Sequence, residues 1–255
     1  MYRFFVKANE LEQSPVVITG DDFNHIHNVL RLKKGEEVLL CDGGEKEYLC
    51  VIQGYDMEES KVLLEITDVF GNARELPSKI TLFQGYPKGD KMETIIQKAV
   101  ELGAFEVVPV MMKRCVVKLD NKKASKKIER FNNIALSAAK QSKRGRIPEV
   151  SSVMTMKEAV EYAKKMDYVL LPYENAEGMK QSKESIQNAI GNKHIGVFIG
   201  PEGGFETSEV EMIEAIGGKT ISLGHRILRT ETAGMTVLSL LMFILEQDEN
   251  VTKVD

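Results

Sequence analysis

Two runs of this sequence carry residue types suited to holding a ligand by main-chain groups. The first is Gly200-Pro201-Glu202-Gly203-Gly204, which follows the apolar, partly β-branched run Ile195–Ile199. The second is Gly224-His225-Arg226-Ile227-Leu228-Arg229-Thr230, which follows Lys219–Leu223. Neither a regular helix nor a strand absorbs such a glycine- and proline-rich stretch, so each reads as a strand that stops at a tight loop. Glycines at 200, 203, 204 and 224 let backbone approach a ligand closely. Ile199, Leu223, Ile227 and Leu228 could sandwich a flat ring, and Arg226 and Arg229 could meet negative charge.

These loops need elements that aim them at one place. Ser208 and Glu211 have capping-box spacing and predict a helix closed by Gly217-Gly218. A near-continuous apolar run, Ala233–Leu245, predicts a buried final helix. Upstream, strand-like and helical patterns alternate: strands over 80–86, 106–111 and 167–171, and helices over 92–102, 122–142, 154–166 and 178–190. The last-but-one of these helices has Thr155 and Glu158 at capping-box spacing. This alternation predicts a mostly parallel sheet covered on both faces, and open α/β sheets bind ligands at the carboxyl ends of their strands. Residues 1 to about 75 read differently, as short strands over 15–18, 37–41, 48–53 and 61–69. Asp42-Gly43-Gly44 suits a hairpin turn there, and a helix capped by Asp21 or Asp22 runs to about Leu32. Gly71–Ser78 is the expected linker, giving domains of 1–73 and 74–250.

Several chemistries lack their signatures. No G-x-G-x-x-G follows the first strand of the α/β region, and no G-x-x-x-x-G-K-[ST] or G-x-S-x-G occurs, which removes the main support for dehydrogenase, P-loop and hydrolase readings. Cys41, Cys50 and Cys115 form no C-x-x-C pair, and His25 and His27 have no carboxylate or cysteine at ligand spacing, so no metal is expected. The longest apolar run is too short to span a bilayer and the N-terminus lacks signal-peptide order, so a cytoplasmic protein without membrane contact is expected. Net charge is −4, yet residues 113–146 hold twelve Lys/Arg against two Asp/Glu. That local excess is a candidate footprint for phosphate, or else a solvated helix face.

The sequence resembles the SPOUT-class methyltransferases, and more narrowly the branch that makes N3-methyluridine in bacterial 16S ribosomal RNA. Gly200-Pro201-Glu202-Gly203-Gly204-Phe205 with Glu209, and Leu223-Gly224-x-Arg226-Ile227-Leu228-Arg229-Thr230-Glu231-Thr232-Ala233, carry the likeness. So do Lys88–Glu93, Gln97-Lys98, Glu101-Leu102-Gly103, Arg114–Lys118 and Gln141-Ser142-x-Arg144-x-x-Ile147-Pro148. The resemblance covers nearly the whole chain and is weak only over 151–193. It implies a parallel sheet with a C-terminal trefoil knot, which nothing in the sequence physics predicts. It also implies a small N-terminal PUA-like β-barrel that binds RNA, and an obligate homodimer. A final helix apolar around most of its circumference fits a second subunit.

The resemblance implies S-adenosylmethionine as donor. Its expected contacts are Ile199, Gly200, Pro201, Glu202, Gly203, Leu223, Gly224, Ile227, Leu228, Thr230 and Ala233, with Leu171-Pro172-Tyr173-Glu174 as a third wall. Methylating N3 of uridine requires loss of the imide proton and stabilisation of an anion spread over O2 and O4. Arg229 is the expected stabiliser, with Arg226 second. Glu202 and Glu231 are proton acceptors, or else they cap a helix or pair with arginine. Arg3, Arg31, Lys118, Arg144 and Arg146 are expected to position ribosomal RNA, free or in the small subunit. The open alternatives are a 2′-hydroxyl or transfer-RNA methyltransferase of the same fold, a non-catalytic RNA-binding factor, and a small-molecule enzyme.

Overall fold

The computed structural model describes residues 1–44, 46–71, 74–117, 121–174, 176 and 178–246, with backbone alone at 121–123. It divides into two compact units, Met1–Glu75 with Lys143–Ile147, and Leu76–Ser142 with the described residues from Pro148 on.

The first unit is built on strands β1 (Tyr2–Phe5), β2 (Val16–Ile18), β3 (Glu37–Cys41), β4 (Lys46–Asp56) and β5 (Lys61–Gly71), in the order β1-β3-β4-β5-β2. β1 pairs parallel with β3, whereas β3, β4, β5 and β2 pair antiparallel. Strand alternation puts Val38, Leu40, Cys50, Ile52, Val62 and Leu64 inside, where they meet Phe4, Phe23 and Ile26. Burial pushes the thiols of Cys41 and Cys50 up to about 12, as expected of core cysteines. β1 carries no glycine or turn signal at its start, and the sequence reading did not assign it. The helix α1 (Gly20–Asn24) starts after Thr19, so Asp21 and Asp22 lie in its first turn instead of capping it. It does not run to Leu32. A widened π-type turn over His25–Val29 ends it, with Leu30 N donating to His25 O at 2.8 Å, and Arg31 takes a left-handed φ of 55°.

Two arginines expected to meet phosphate are used inside this unit. Arg3 Nη2 lies 2.8 Å from Glu47 Oε2, with both side chains only 9% exposed, and Arg3 Nη1 donates to Lys143 O at 3.0 Å. Arg144, 5% exposed, pairs with Glu75 through Nε at 3.1 Å and through Nη2. Buried charges need such partners, and these guanidiniums fasten Lys143–Ile147 to the rest of the first unit. Arg3→Ala should therefore cost about 3–5 kcal/mol of unfolding free energy by stranding Glu47. Urea titration checks this, and a loss below about 1 kcal/mol would mean the pair is not structural.

The second unit holds a sheet of β6 (Lys79–Gly85), β7 (Glu106–Met111), β8 (Glu149–Val150), β10 (Tyr168–Pro172), β11 (His194–Ile199) and β12 (Lys219–Ile221), with the short β9 (Met154–Thr155) also on β7. The order is β12-β10-β11-β6-β7-β8, and every pairing is parallel. Among the described residues six helices lie along it: α2 (Lys91–Glu101), α3 (Asn121–Gln141), α4 (Met156–Ala163), α5 (Met179–Gln187), α6 (Thr207–Glu214) and α7 (Thr230–Leu245). α2 turns Met92, Ile95, Ile96, Ala99 and Val100 inward, and α3 buries Phe131, Ala135 and Ala138, as their three-and-four spacing requires. Stacked Phe83 and Phe198, with ring centroids 4.4 Å apart, sit in the core beneath the β6–β11 pair. Thr155 caps α4 with Glu158 as the spacing predicts. On α6 the box is Glu206 with Glu209, two residues earlier than Ser208 with Glu211, because Glu209 is also drawn inward by Lys113 N at 2.8 Å. No helix among the described residues is long and apolar enough to cross a membrane.

Candidate functional site

Because every strand of the second unit runs the same way, all its strand-to-helix loops open on one edge. Register aligns Gln84 with Ile199, and Pro172 with Ile221, so the ends of β6, β11, β10 and β12 stand side by side. The two glycine loops and Leu171–Glu174 are thereby gathered at one edge. Tyr173 N donates to Ile221 O at 3.0 Å, joining the end of β10 to the end of β12.

The Gly200–Gly204 loop is built to be small. Gly204 N donates to Pro201 O at 2.9 Å, closing the turn, and Gly204 has φ +70°. A Cβ on Gly203 would lie 2.9 Å from Arg114 Cβ, and one on Gly85 would lie 2.5 Å from Pro201 N. The loop is thus pressed between the end of β6 and the segment after β7. Arg114 grips it from outside, donating through Nη1 to Gly203 O at 3.0 Å and through Nε to Glu206 Oε1 at 2.7 Å. Beneath it, Gln84 Nε2 donates to Thr230 Oγ1 at 2.8 Å, and Thr230 Oγ1 donates to Gly200 O at 2.6 Å. Thr230 is 6% exposed, and its hydroxyl ties the loop to α7.

The second loop is held by α5. Ser182 Oγ accepts from Ser222 N at 2.8 Å, Ser222 Oγ accepts from Gly224 N at 3.2 Å, and Gly224 has φ +106°. Beyond it Arg226, Ile227 and Arg229 are exposed, Ile227 at 90%. Leu223 and Leu228 are half-buried. Arg229 is the residue before α7, and its carbonyl accepts from Ala233 N at 2.8 Å, placing Ala233 in the first turn.

Glu202 and Glu231 arrive from the two loops and meet one cation. Lys91 Nζ lies 3.1 Å from Glu202 Oε1 and 3.4 Å from Glu231 Oε2. Burial alone would raise the Glu202 carboxyl, but amides of its own loop and of Lys88, with the Lys91 ammonium, hold it below the usual carboxylate range. Glu202 is ion-paired, with lysine where the sequence suggests arginine.

Gln84, Gly85, Lys91 and Arg114 belong to this site although the sequence reading gave them no role in it. The rule that parallel strands share a carboxyl edge could have brought in Gln84 and Gly85. Of the residues expected to position RNA, Arg31 is exposed and Arg146 half-buried on the first unit, and Lys118 lies outside the described residues. A groove of about 660 Å3 runs elsewhere, between α2 and α3, past Gln97, Asn133 and Gln141. Two of its cations are ion-paired within the chain, Lys98 with Glu101 and Arg130 with Glu93, both at 2.8 Å. No cluster of metal-binding side chains occurs among the described residues.

Comparison with known proteins places the chain in a family. Residues 74–242 match the RNA methyltransferase domain family, and residues 18–62 match the RNA methyltransferase PUA domain family. Ribosomal RNA small subunit methyltransferase E of Bacillus subtilis (strain 168) is 39% identical, over 96% of this chain and 98% of its own. The protein of the same name from Mesomycoplasma hyopneumoniae is 34% identical, over 94% and 98%. The crystal structure of a ribosomal RNA small subunit methyltransferase E from Neisseria gonorrhoeae, bound to S-adenosyl methionine, superposes with a TM-score of 0.78 at 29% identity, over 95% of this chain and 97% of that one.

Proposed function

The chain belongs to the RNA methyltransferase family, and from that premise we infer that it methylates 16S ribosomal RNA with S-adenosylmethionine as donor, at N3 of a uridine. The observation that carries the reading is the convergence of two glycine loops on the first turn of α7, with exposed Arg229 beside them. The donor fits this edge. Positions 85, 200 and 203 are packed so closely against the chain's own atoms that a side chain would push the loop out of shape, and a flat adenine needs main-chain donors and acceptors at short range, which such a tight loop presents. Ile199–Gly203, Leu171–Glu174, Leu223–Gly224, Ile227, Leu228 and Ala233 would hold it. Bound there, the donor supplies an electrophilic methyl group.

The chain's own residues must manage the charge on the acceptor. When N3 loses its proton to solvent water, negative charge spreads onto the two uracil carbonyl oxygens, and a guanidinium aimed at them lowers the barrier as the methyl group passes from the sulfonium to N3. Arg229 is assigned this role, with Arg226 second. Glu202, held ionised by Lys91, is a poor proton acceptor, and Glu231 shares the same lysine. Both carboxylates are therefore read as organisers of the site.

Exposed Arg31, with Arg146 and Lys118, is assigned to the RNA backbone, so affinity for ribosomal RNA should fall steeply with added salt. A flat salt response would favour a small-molecule substrate instead. The exposed Phe243 (82%) and Leu240 (41%) on α7 support a homodimer through that helix, and Phe243→Asp should halve the mass seen by sedimentation. The chain runs from the edge strand β12 back past β10 to tie Thr230 beside β11 and β6, which supports a trefoil-threaded path. A ribosomal substrate suits a cytoplasmic address.

The test is mass spectrometry of nucleosides from small subunits treated with the protein and the donor. N3-methyluridine is the expected product. A 2′-O-methylated nucleoside would overturn the acceptor assignment, and no methylated nucleoside on any ribosomal or transfer RNA would overturn the enzyme reading.

A further inference from the structure

We propose that Lys91 is a positioning residue of this site: by bridging Glu202 and Glu231 it keeps the Gly200–Gly204 loop docked on the first turn of α7 in the shape that binds the donor. The inference rests on the donor-site reading above and assigns a role that neither the loops' composition nor the family likeness gives.

Glu202 and Glu231 sit on segments about thirty residues apart in sequence, and nothing covalent holds them together. Their side chains are 23% and 21% exposed and converge on one ammonium that is itself 25% exposed. Two carboxylates this close repel unless a cation stands between them. Lys91 does so from the first position of α2, and Lys88 N donates to Glu202 Oε1 at 3.2 Å from the same segment. The Glu231 carboxylate has a buried oxygen with no hydrogen-bond donor in place among the described residues, so the Lys91 charge is what balances it. The hydrogen bond from Thr230 to Gly200 O fixes the inner side of the same loop. Lys91 thus fixes the outer side, and the loop is held from both. Since three groups carry two negative charges and one positive, loss of the lysine leaves like charges facing each other where the Gly200–Gly204 loop meets α7, and replacing it by arginine keeps the charge.

Calorimetric titration of the full chain with S-adenosylmethionine tests this without any RNA. Lys91→Met should weaken binding about tenfold, and Lys91→Arg should restore most of the loss. In a Glu202→Gln, Glu231→Gln background, where the repulsion is gone, Lys91→Met should change affinity by less than about twofold. Wild-type affinity in Lys91→Met would overturn the proposal, as would an undiminished tenfold loss in the double-glutamine background. Failure of the wild-type chain to bind the donor would instead overturn the donor-site reading itself. Circular dichroism of each variant separates loss of fold from loss of the bridge, and if Lys91→Met does not fold, Lys91→Gln enters the same comparison.

Discussion

Arg229→Ala should lower turnover on ribosomal RNA by about 10²–10³-fold, the range seen when a group that stabilises transition-state charge is removed. Donor affinity should stay within about threefold of wild type, because the guanidinium is exposed and makes no bond to the Gly200–Gly204 loop. The split matters more than either number. An interaction made only as charge develops on the pyrimidine lowers kcat and kcat/KM together, whereas a residue that merely holds the donor raises KM. Single-turnover methylation at saturating donor, beside calorimetry, measures both. Unchanged turnover would take Arg229 out of the reaction and leave Arg226 as the cation to examine.

Gly85→Ala carries the other large effect. The added methyl would sit 2.5 Å from Pro201 N, 2.6 Å from Pro201 Cδ and 2.9 Å from Gly200 C. None of these is the tip of a flexible side chain. β6 is held on both sides, by β11 and by β7, so the glycine loop is the part that must move. Overpacking of this kind costs about 1–3 kcal/mol, and donor affinity should drop by up to about a hundredfold. Full affinity in this variant would mean that the loop does not bind the donor.

The sheet and its two loops were legible because they rest on local signals: apolar runs ended by glycine, and helical spacing between them. Thr155 with Glu158 marked α4 correctly for the same reason. Where two local signals competed, tertiary contact decided. Glu209 caps α6 because Lys113 N holds its other oxygen, and no spacing rule sees residue 113. The helix near the N-terminus ends early because a widened turn absorbs His25–Val29, which composition does not announce. The ion pairs of Arg3 and Arg144 were not legible, because a carboxylate partner far along the chain gives no local signal. Glu47 and Glu75 stand 44 and 69 residues from them. Gly85 is the clearest loss: its meaning lies wholly in a proline more than a hundred residues later.

That separation also shapes how the protein comes into being on the ribosome. β6 acquires β7 almost at once, but its other neighbour, β11, is not synthesised until residue 199. Through more than a hundred residues of translation one side of a central strand has no permanent mate, and long-range pairings of this sort close slowly. A chain stopped near Ile190 would expose that open flank to other nascent copies, so truncation there should yield insoluble material, and chaperone demand should fall once β11 has emerged.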